Sequence, residues 1–172
     1  VGIVGSSGEI TELKQAEALE SALYRIAAES SSSGDLEKFC AAIHRIIGEL
    51  MYAKNFYIAL YDPVNGLLTY PYFVDEFDPP PSPEPLGRGL TAYVLRSGKS
   101  LLCDERRSAE LHKLGQSEVV GSPSPIWLGV PLIAEKRTIG VMVVQHYSDP
   151  RTFTEREQHI LEFVSSQVAR AI

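Results

Sequence analysis

The fold of this chain is decided by two apolar stretches that flank a short charged turn: WLGVPLI at residues 127–133 and IGVMVV at residues 139–144. In the second stretch every residue is apolar or glycine, so both faces of the strand it forms are apolar. A strand of this kind is covered on both sides of its sheet. We therefore predict a hairpin of strands 126–134 and 138–147 that turns near residues 135–137, with helices on both faces.

The segments on either side of this hairpin predict the remaining layers. Residues 56–61 and 67–74 form a second hairpin across an Asp-Pro and an Asn-Gly turn signal, and residues 100–103 form a short strand. Helical spacing and capping signals predict five helical segments, at residues 10–29, 36–50, 90–97, 106–114 and 154–172. Asp35 caps the second segment, Gly98 ends the third, and a Thr154–Glu157 capping box opens the last. Because its pairs are hairpins, the sheet is antiparallel, and the predicted fold class is an α/β fold of the α+β kind with three layers, α/β/α.

Two loops join these elements. Residues 78–85 include five prolines between positions 79 and 85, which excludes a central strand or a helix because proline has no amide hydrogen. We expect an exposed, stiff, polyproline-like loop there. Residues 115–125 are rich in Gly, Ser and Pro and form the second loop.

Composition and charge argue against several functions. The 172 residues suit one domain with flanking helices, and a net charge of −6 without a basic stripe argues against nucleic acid as a partner. No apolar run approaches the ~18 residues that cross a bilayer, so no membrane contact is expected from this segment. Cys40 and Cys103 are predicted to be free thiols of a reduced, cytoplasmic protein.

No catalytic or metal-binding motif is apparent. The four histidines lack zinc spacing, and His146, which follows Gln145 at the end of a buried strand, is expected to bond to neighbouring backbone or water. GRGLTA at residues 87–92 has the letters of a dinucleotide fingerprint but follows a proline-rich loop instead of a strand. Gly98-Lys99-Ser100 imitates a Walker A ending without the required glycine at position 93. We expect neither enzyme activity nor a cofactor in this segment.

The order of features resembles the GAF domain family. The two stretches of the first hairpin are similar to the second half of that domain, FYIALYD at residues 56–62 to its first strand, and GLTAYV at residues 89–94 to the helix after its variable loop. FTERE at residues 153–157 and the helix after it are similar to the family's closing helix. The resemblance covers roughly residues 18–172 and implies a six-stranded antiparallel sheet with a pocket under the middle helices.

The resemblance also implies a function. GAF domains commonly sense small molecules or chromophores, or dimerise, in kinases, cyclases and phosphodiesterases, and their best-known ligands are cyclic nucleotides, bilins and haem. This chain lacks the Asn-Lys-Phe-Asp-Glu signature of the cyclic-nucleotide members and the Cys-His pair typical of bilin attachment, and it has fewer cysteines than the free methionine sulfoxide reductases use. We expect a non-catalytic sensory domain that binds an undefined small molecule in a bacterial sensor histidine kinase or diguanylate cyclase. The alternative is a ligand-free dimerisation and relay module.

Five residues are candidates for lining the ligand pocket: Tyr57, Tyr72, Tyr93, Asp104 and Trp127. Tyrosine and tryptophan join an apolar body to a polar tip, which suits a small ligand of mixed character. The alternative is that they are ordinary core aromatics.

The predicted organisation is a flexible leader at residues 1–9, a signalling and dimerisation helix at 10–30, the core at 31–153, and a closing helix at 154–172 that leads to an output domain. Leu161, Val164, Val168 and Ala171 recur at the 3-4-3 spacing of a coiled-coil seam. An isolated helix of about 20 residues is marginal in water, so both terminal helices need partners. We predict a homodimer through residues 13–26 and 161–171; the alternative is that both helices cover their own sheet.

Overall fold

The structure, a computed structural model, describes residues 7–172. Its strands are β1 (Asn55–Asp62), β2 (Leu67–Val74), β3 (Glu84–Pro85), β4 (Leu101–Asp104), β5 (Ile126–Ala134) and β6 (Arg137–His146). Its helices are α1 (Ser7–Ser32), α2 (Leu36–Leu50), α3 (Leu90–Ser97), α4 (Glu105–Lys113) and α5 (Glu155–Ala171). The strands form one antiparallel sheet in the order β3-β2-β1-β6-β5-β4, which confirms the predicted six-stranded, three-layer fold.

Each face of the sheet has its own apolar core. On the terminal-helix face, α1, α2 and α5 enclose alternate residues of the strands such as Phe56, Ile58 and Leu128. On the middle-helix face, α3 and α4 enclose the other set, including Tyr57 and Trp127. Both faces of β6 are buried, as the apolar pattern of residues 139–144 predicts.

The closing helix belongs to the terminal-helix core. Leu161, Val164 and Val168 are fully buried, and α5 packs along β5. These three side chains are therefore not available to a seam with a second chain, and the prediction that they form one is wrong. Their 3-4-3 spacing reflects burial against the chain's own sheet, because a helix buried along one stripe has the same spacing as a coiled coil.

Helix α1 begins at Ser7 and ends at Ser32. The predicted leader is thus wrong for residues 7–9, which are helical, and its residues 1–6 lie outside the described part of the chain. Ala22 and Ile26 pack into the core, whereas Ile10 and Leu13 are 50% and 61% exposed. Only the second half of α1 therefore contributes to the core. No helix within residues 7–172 is long and apolar enough to cross a membrane.

A bulge in β2 changes which side chains share a face. Ile58 pairs with Tyr72 and Leu60 pairs with Thr69, so Tyr70 and Pro71 together lie opposite the single residue Ala59. One extra residue reverses the alternation of side chains. Tyr70 consequently packs on the middle-helix face and Tyr72 on the terminal-helix face.

The turns and caps follow the sequence signals. Ala134 pairs with Arg137, which leaves Glu135 and Lys136 in the turn with φ angles of 50° and 65°. Thr154 and Glu157 form the predicted capping box. The proline-rich loop is largely exposed, but its last two residues form β3 at the sheet edge, where proline is tolerated.

Candidate ligand site on the middle-helix face

The centre of the site is a buried pair of aromatic side chains, Tyr57 and Trp127. They are 8% and 5% exposed, and the Tyr57 hydroxyl lies 2.8 Å from Oγ1 of Thr91 in the first turn of α3. Burial raises the pKa of Tyr57 to about 12, and this effect outweighs the hydrogen bonds with Thr91 and Trp127, which lower the pKa. Tyr57 is therefore a neutral hydroxyl at physiological pH.

The Trp127 indole lies over Gly129 of the same strand. A β-carbon at Gly129 would lie 2.6 Å from Cζ3 and 3.1 Å from Cζ2 of Trp127, so only glycine leaves room for the ring. Phe73 stacks on Tyr57 with ring centroids 5.1 Å apart. Aromatic side chains thus fill the space beneath the middle helices.

A polar network lies beside this aromatic group, at the end of β6. Nε2 of Gln145 donates to Oδ2 of Asp75 at 2.8 Å, and the Tyr147 hydroxyl donates to both Asp75 oxygens at 2.8 and 2.7 Å. Gln145 is 7% exposed and pairs with Trp127 across the β5–β6 ladder. Burial and the bond to Asp75 raise the pKa of Tyr147, so its hydroxyl keeps the proton that it donates.

A second carboxylate, Asp78, joins the two loops above the sheet. Its Oδ2 accepts from the backbone N–H of Ser122 at 2.9 Å and its Oδ1 from the Ser122 hydroxyl at 2.7 Å. Neither Asp75 nor Asp78 forms an ion pair with any residue between 7 and 172. The site therefore combines two carboxylates, which only accept hydrogen bonds, with neutral aromatic hydroxyls.

The structure brings together only part of the predicted site. Tyr57 and Trp127 lie together in the core of the middle-helix face, and Tyr93 packs, partly buried, on the same face. Tyr72 lies on the opposite face, where its hydroxyl is 2.8 Å from Nδ1 of His44, so its placement in this pocket is wrong. Asp104 ends β4, and its carboxylate accepts from the N–H of Arg107 as the cap of α4.

Sequence reasoning missed the polar network. Asp75 is 70 residues from Gln145 along the chain, and only the folded sheet joins them. The one available signal was Gln145 itself, because an amide in an otherwise apolar strand needs a buried partner.

The remaining polar candidates have structural partners. Nδ1 of His146 accepts from the backbone N–H groups of Ser148 and Asp149, the backbone bond that the sequence predicts. Both cysteines are free and buried, one on each face of the sheet, and burial raises the pKa of each thiol to about 11. Within residues 7–172 no group of three or more His, Cys, Asp or Glu side chains could hold a metal ion.

The structure thus has an antiparallel sheet with the terminal helices on one face and a small polar site beside two short helices on the other. A family model described as GAF domain matches residues 33–172, and the chain belongs to that family. No curated protein matches the chain.

Solved structures share the fold at low sequence identity. The GAF domain of a phosphoenolpyruvate-protein phosphotransferase from Acinetobacter is 22% identical with a TM-score of 0.66, and the match covers 88% of this chain and 90% of that one. Free methionine-R-sulfoxide reductase from Neisseria meningitidis, in complex with its substrate, is 17% identical with a TM-score of 0.69 over 99% and 93%. A segment of a methyl-accepting chemotaxis protein is 16% identical with a TM-score of 0.70 over 85% and 93%.

Proposed function

We propose that this domain is a non-catalytic, cytoplasmic sensor that binds a small molecule on the middle-helix face and relays binding through its terminal helices. The observation that supports this proposal is the network of Asp75, Gln145 and Tyr147 beside Tyr57 and Trp127. Convergent polar groups next to aromatic side chains are typical of small-molecule sites. Because the carboxylates only accept hydrogen bonds, we propose a ligand with an apolar body and hydrogen-bond donors.

Cysteine chemistry supports the non-catalytic part of the proposal. A reactive cysteine needs a lowered pKa, because the thiolate is the nucleophile. Burial instead raises the pKa of Cys103, the cysteine on the site's face, to about 11. We therefore do not extend the activity of the reductase neighbour to this chain.

A thermal-shift screen with amino acids, amines, nucleobases and nucleotides tests the proposal. A ligand at 100 times its Kd stabilises by about 2.7 kcal/mol, which corresponds to a rise in Tm of roughly 5–10 °C for a chain of this size. Asp75→Asn should abolish the shift. The matched control is Asp62→Asn, since the Asp62 carboxylate accepts turn N–H groups at the far end of β1. A shift that survives Asp75→Asn would place the ligand elsewhere, and a screen without any shift would reject the sensor.

A ligand-free relay is the second candidate, and it is favoured by the filled space beneath the middle helices. The Trp127 ring occupies the room above Gly129. Shallow depressions on α1 beside Tyr24 and between α5 and Ile133 lie away from this site. In this hypothesis the domain transmits motion between neighbouring domains. In both hypotheses the proposed parent protein is a sensor histidine kinase or a diguanylate cyclase.

The relay requires a homodimer, which we propose forms through the exposed stripe of α1. Ile10, Leu13 and Tyr24 are 50%, 61% and 80% exposed, and their spacing places them on one face of the helix. Sedimentation of an Ile10→Glu, Leu13→Glu double variant tests this stripe. Ile133→Glu is the control, because Ile133 is equally apolar and 46% exposed at the far end of β5. A dimer that persists in the double variant would exclude the stripe.

A further inference from the structure

The segment between α4 and β5, residues 115–125, passes over the start of α3 and the polar network. We call it the cover segment. It contains no helix or strand, and of its residues only Ser117 is buried, while Val119 and Val120 are each 69% exposed. A segment with so few buried contacts opens at low free-energy cost unless specific bonds hold it.

Two groups of polar contacts join the cover segment to Asp78 and to Arg88, and we call these two groups latches. In the first, the Asp78 carboxylate accepts from both the N–H and the hydroxyl of Ser122. In the second, Arg88 donates to the carbonyl oxygen of Gly115 and pairs with the Glu118 carboxylate at 3.2 Å, while the Glu118 N–H donates to the Arg88 carbonyl at 2.7 Å. The latches fix the segment at both ends.

The groups beneath the cover segment are those of the candidate site. Val120 packs against Gly89, the residue that precedes α3, and Thr91 two residues later holds the Tyr57 hydroxyl. Ser124, near the end of the segment, donates to Oε1 of Gln145 at 3.3 Å. Displacing the segment would therefore uncover the start of α3, next to the Tyr57 hydroxyl, and one side of Gln145.

We propose that residues 115–125 are a hinged cover, and that release of the Asp78–Ser122 and Arg88 latches admits solutes to the Tyr57–Trp127 site. Gly115 and Gly121, with φ angles of 68° and 75°, occupy the left-handed region where glycine moves without a steric penalty. The use of the cover for ligand entry rests on the proposed sensor function. The mobility of the cover segment does not depend on that function.

Trp127 is the only tryptophan of the chain, so its fluorescence reports on the site directly. Ser122→Ala removes the hydroxyl bond of the first latch, and Arg88→Gln removes the side-chain bond to Gly115 and the ion pair with Glu118 of the second, so each variant weakens one latch. Each variant should raise the acrylamide quenching constant of Trp127 and speed deuterium exchange of the Glu118 and Ser122 amides about tenfold, as expected for the loss of a charge-assisted hydrogen bond at a partly exposed site.

Ser33→Ala is the matched control, because the Ser33 hydroxyl donates one 2.8 Å bond to Asp35 in a loop far from the cover segment. Thiol labelling of Cys40, in the opposite core, reports on global unfolding. Faster quenching in both latch variants with unchanged Cys40 labelling supports the cover. Unchanged quenching in both, or a parallel rise in Cys40 labelling, would overturn it. If the cover opens and no ligand binds, only the sensor function fails.

Discussion

The substitution Gly129→Ala tests the packing at the centre of the site. The added β-carbon would lie 2.6 Å from Cζ3 and 3.1 Å from Cζ2 of Trp127, whereas carbon atoms in contact are about 3.5–4.0 Å apart. Strand β5 is paired with β4 and β6 on its two sides, so any displacement of its backbone strains both pairings. Over-packing of a core typically costs about 1–3 kcal/mol, and we expect the upper end of that range here.

A double-mutant cycle with Trp127→Phe isolates this clash. The atoms that the β-carbon meets belong to the six-membered ring of the indole, and phenylalanine lacks that second ring. Trp127→Phe alone should cost about 1–2 kcal/mol of lost apolar burial. In its background Gly129→Ala should cost about 2 kcal/mol less than in the wild type, as a coupling energy between residues in contact.

Urea denaturation followed by circular dichroism measures all four variants of the cycle, since Trp127→Phe removes the fluorescence signal. Gly48→Ala is the control: Gly48 is exposed on α2 with no atom within 4 Å of an added β-carbon, so this change should stabilise by about 0.5–1 kcal/mol. If the free-energy costs of the two single substitutions add up to the cost of the double variant within about 0.5 kcal/mol, the proposed packing of Trp127 on Gly129 is refuted.

Three further predictions concern stability. Lys136→Gly should raise the free energy of unfolding by about 1 kcal/mol, measured as a Tm rise of about 2–4 °C, because Lys136 has a φ of 65° in the β5–β6 turn. Thr154→Ala should cost about 1 kcal/mol in urea denaturation, since it removes the capping box of α5; no change would show that the box is dispensable. Burial raises the thiol pKa of Cys40 and Cys103 to about 11, so as the pH rises the thiols of the unfolded chain lose their protons before those of the folded chain. The contribution of these thiols to the free energy of unfolding is therefore complete below about pH 9 and is lost toward pH 11. In urea titrations, a Cys40→Ala, Cys103→Ala variant should show a shallower decline of stability at alkaline pH than the wild type.

The elements of the fold were accessible to sequence reasoning because local patterns specify them. Odd and even positions of residues 139–144 are both apolar, so helices must pack on both faces of that strand. The hairpins follow from turn signals between short apolar runs. The 3-4-3 spacing of α5 correctly predicts a buried stripe, but spacing alone does not say whether a sheet or a second helix buries it.

The site was only partly predictable because its geometry depends on long-range register. Tyr72 was assigned to the wrong face, since the bulge at Tyr70 and Pro71 inserts one extra residue into β2. A proline inside a strand indicates a bulge or an edge without fixing where the alternation reverses. Asp75 and Tyr147 likewise meet only through the pairing of β1 with β2 and β6.

Strand β5 connects the candidate site to the closing helix. Trp127 and Gly129 face the site, while Leu128 and Val130 pack in the same core as Leu161 of α5. Because cores are close-packed, a displacement of β5 at the site must move the side chains under α5. Helix α2 lies on the same face, but its contacts with the sheet are mainly with β2. Gly129→Ala should therefore speed deuterium exchange in α5 more than in α2, and equal acceleration in both helices would show general loosening of the core instead of a path through β5.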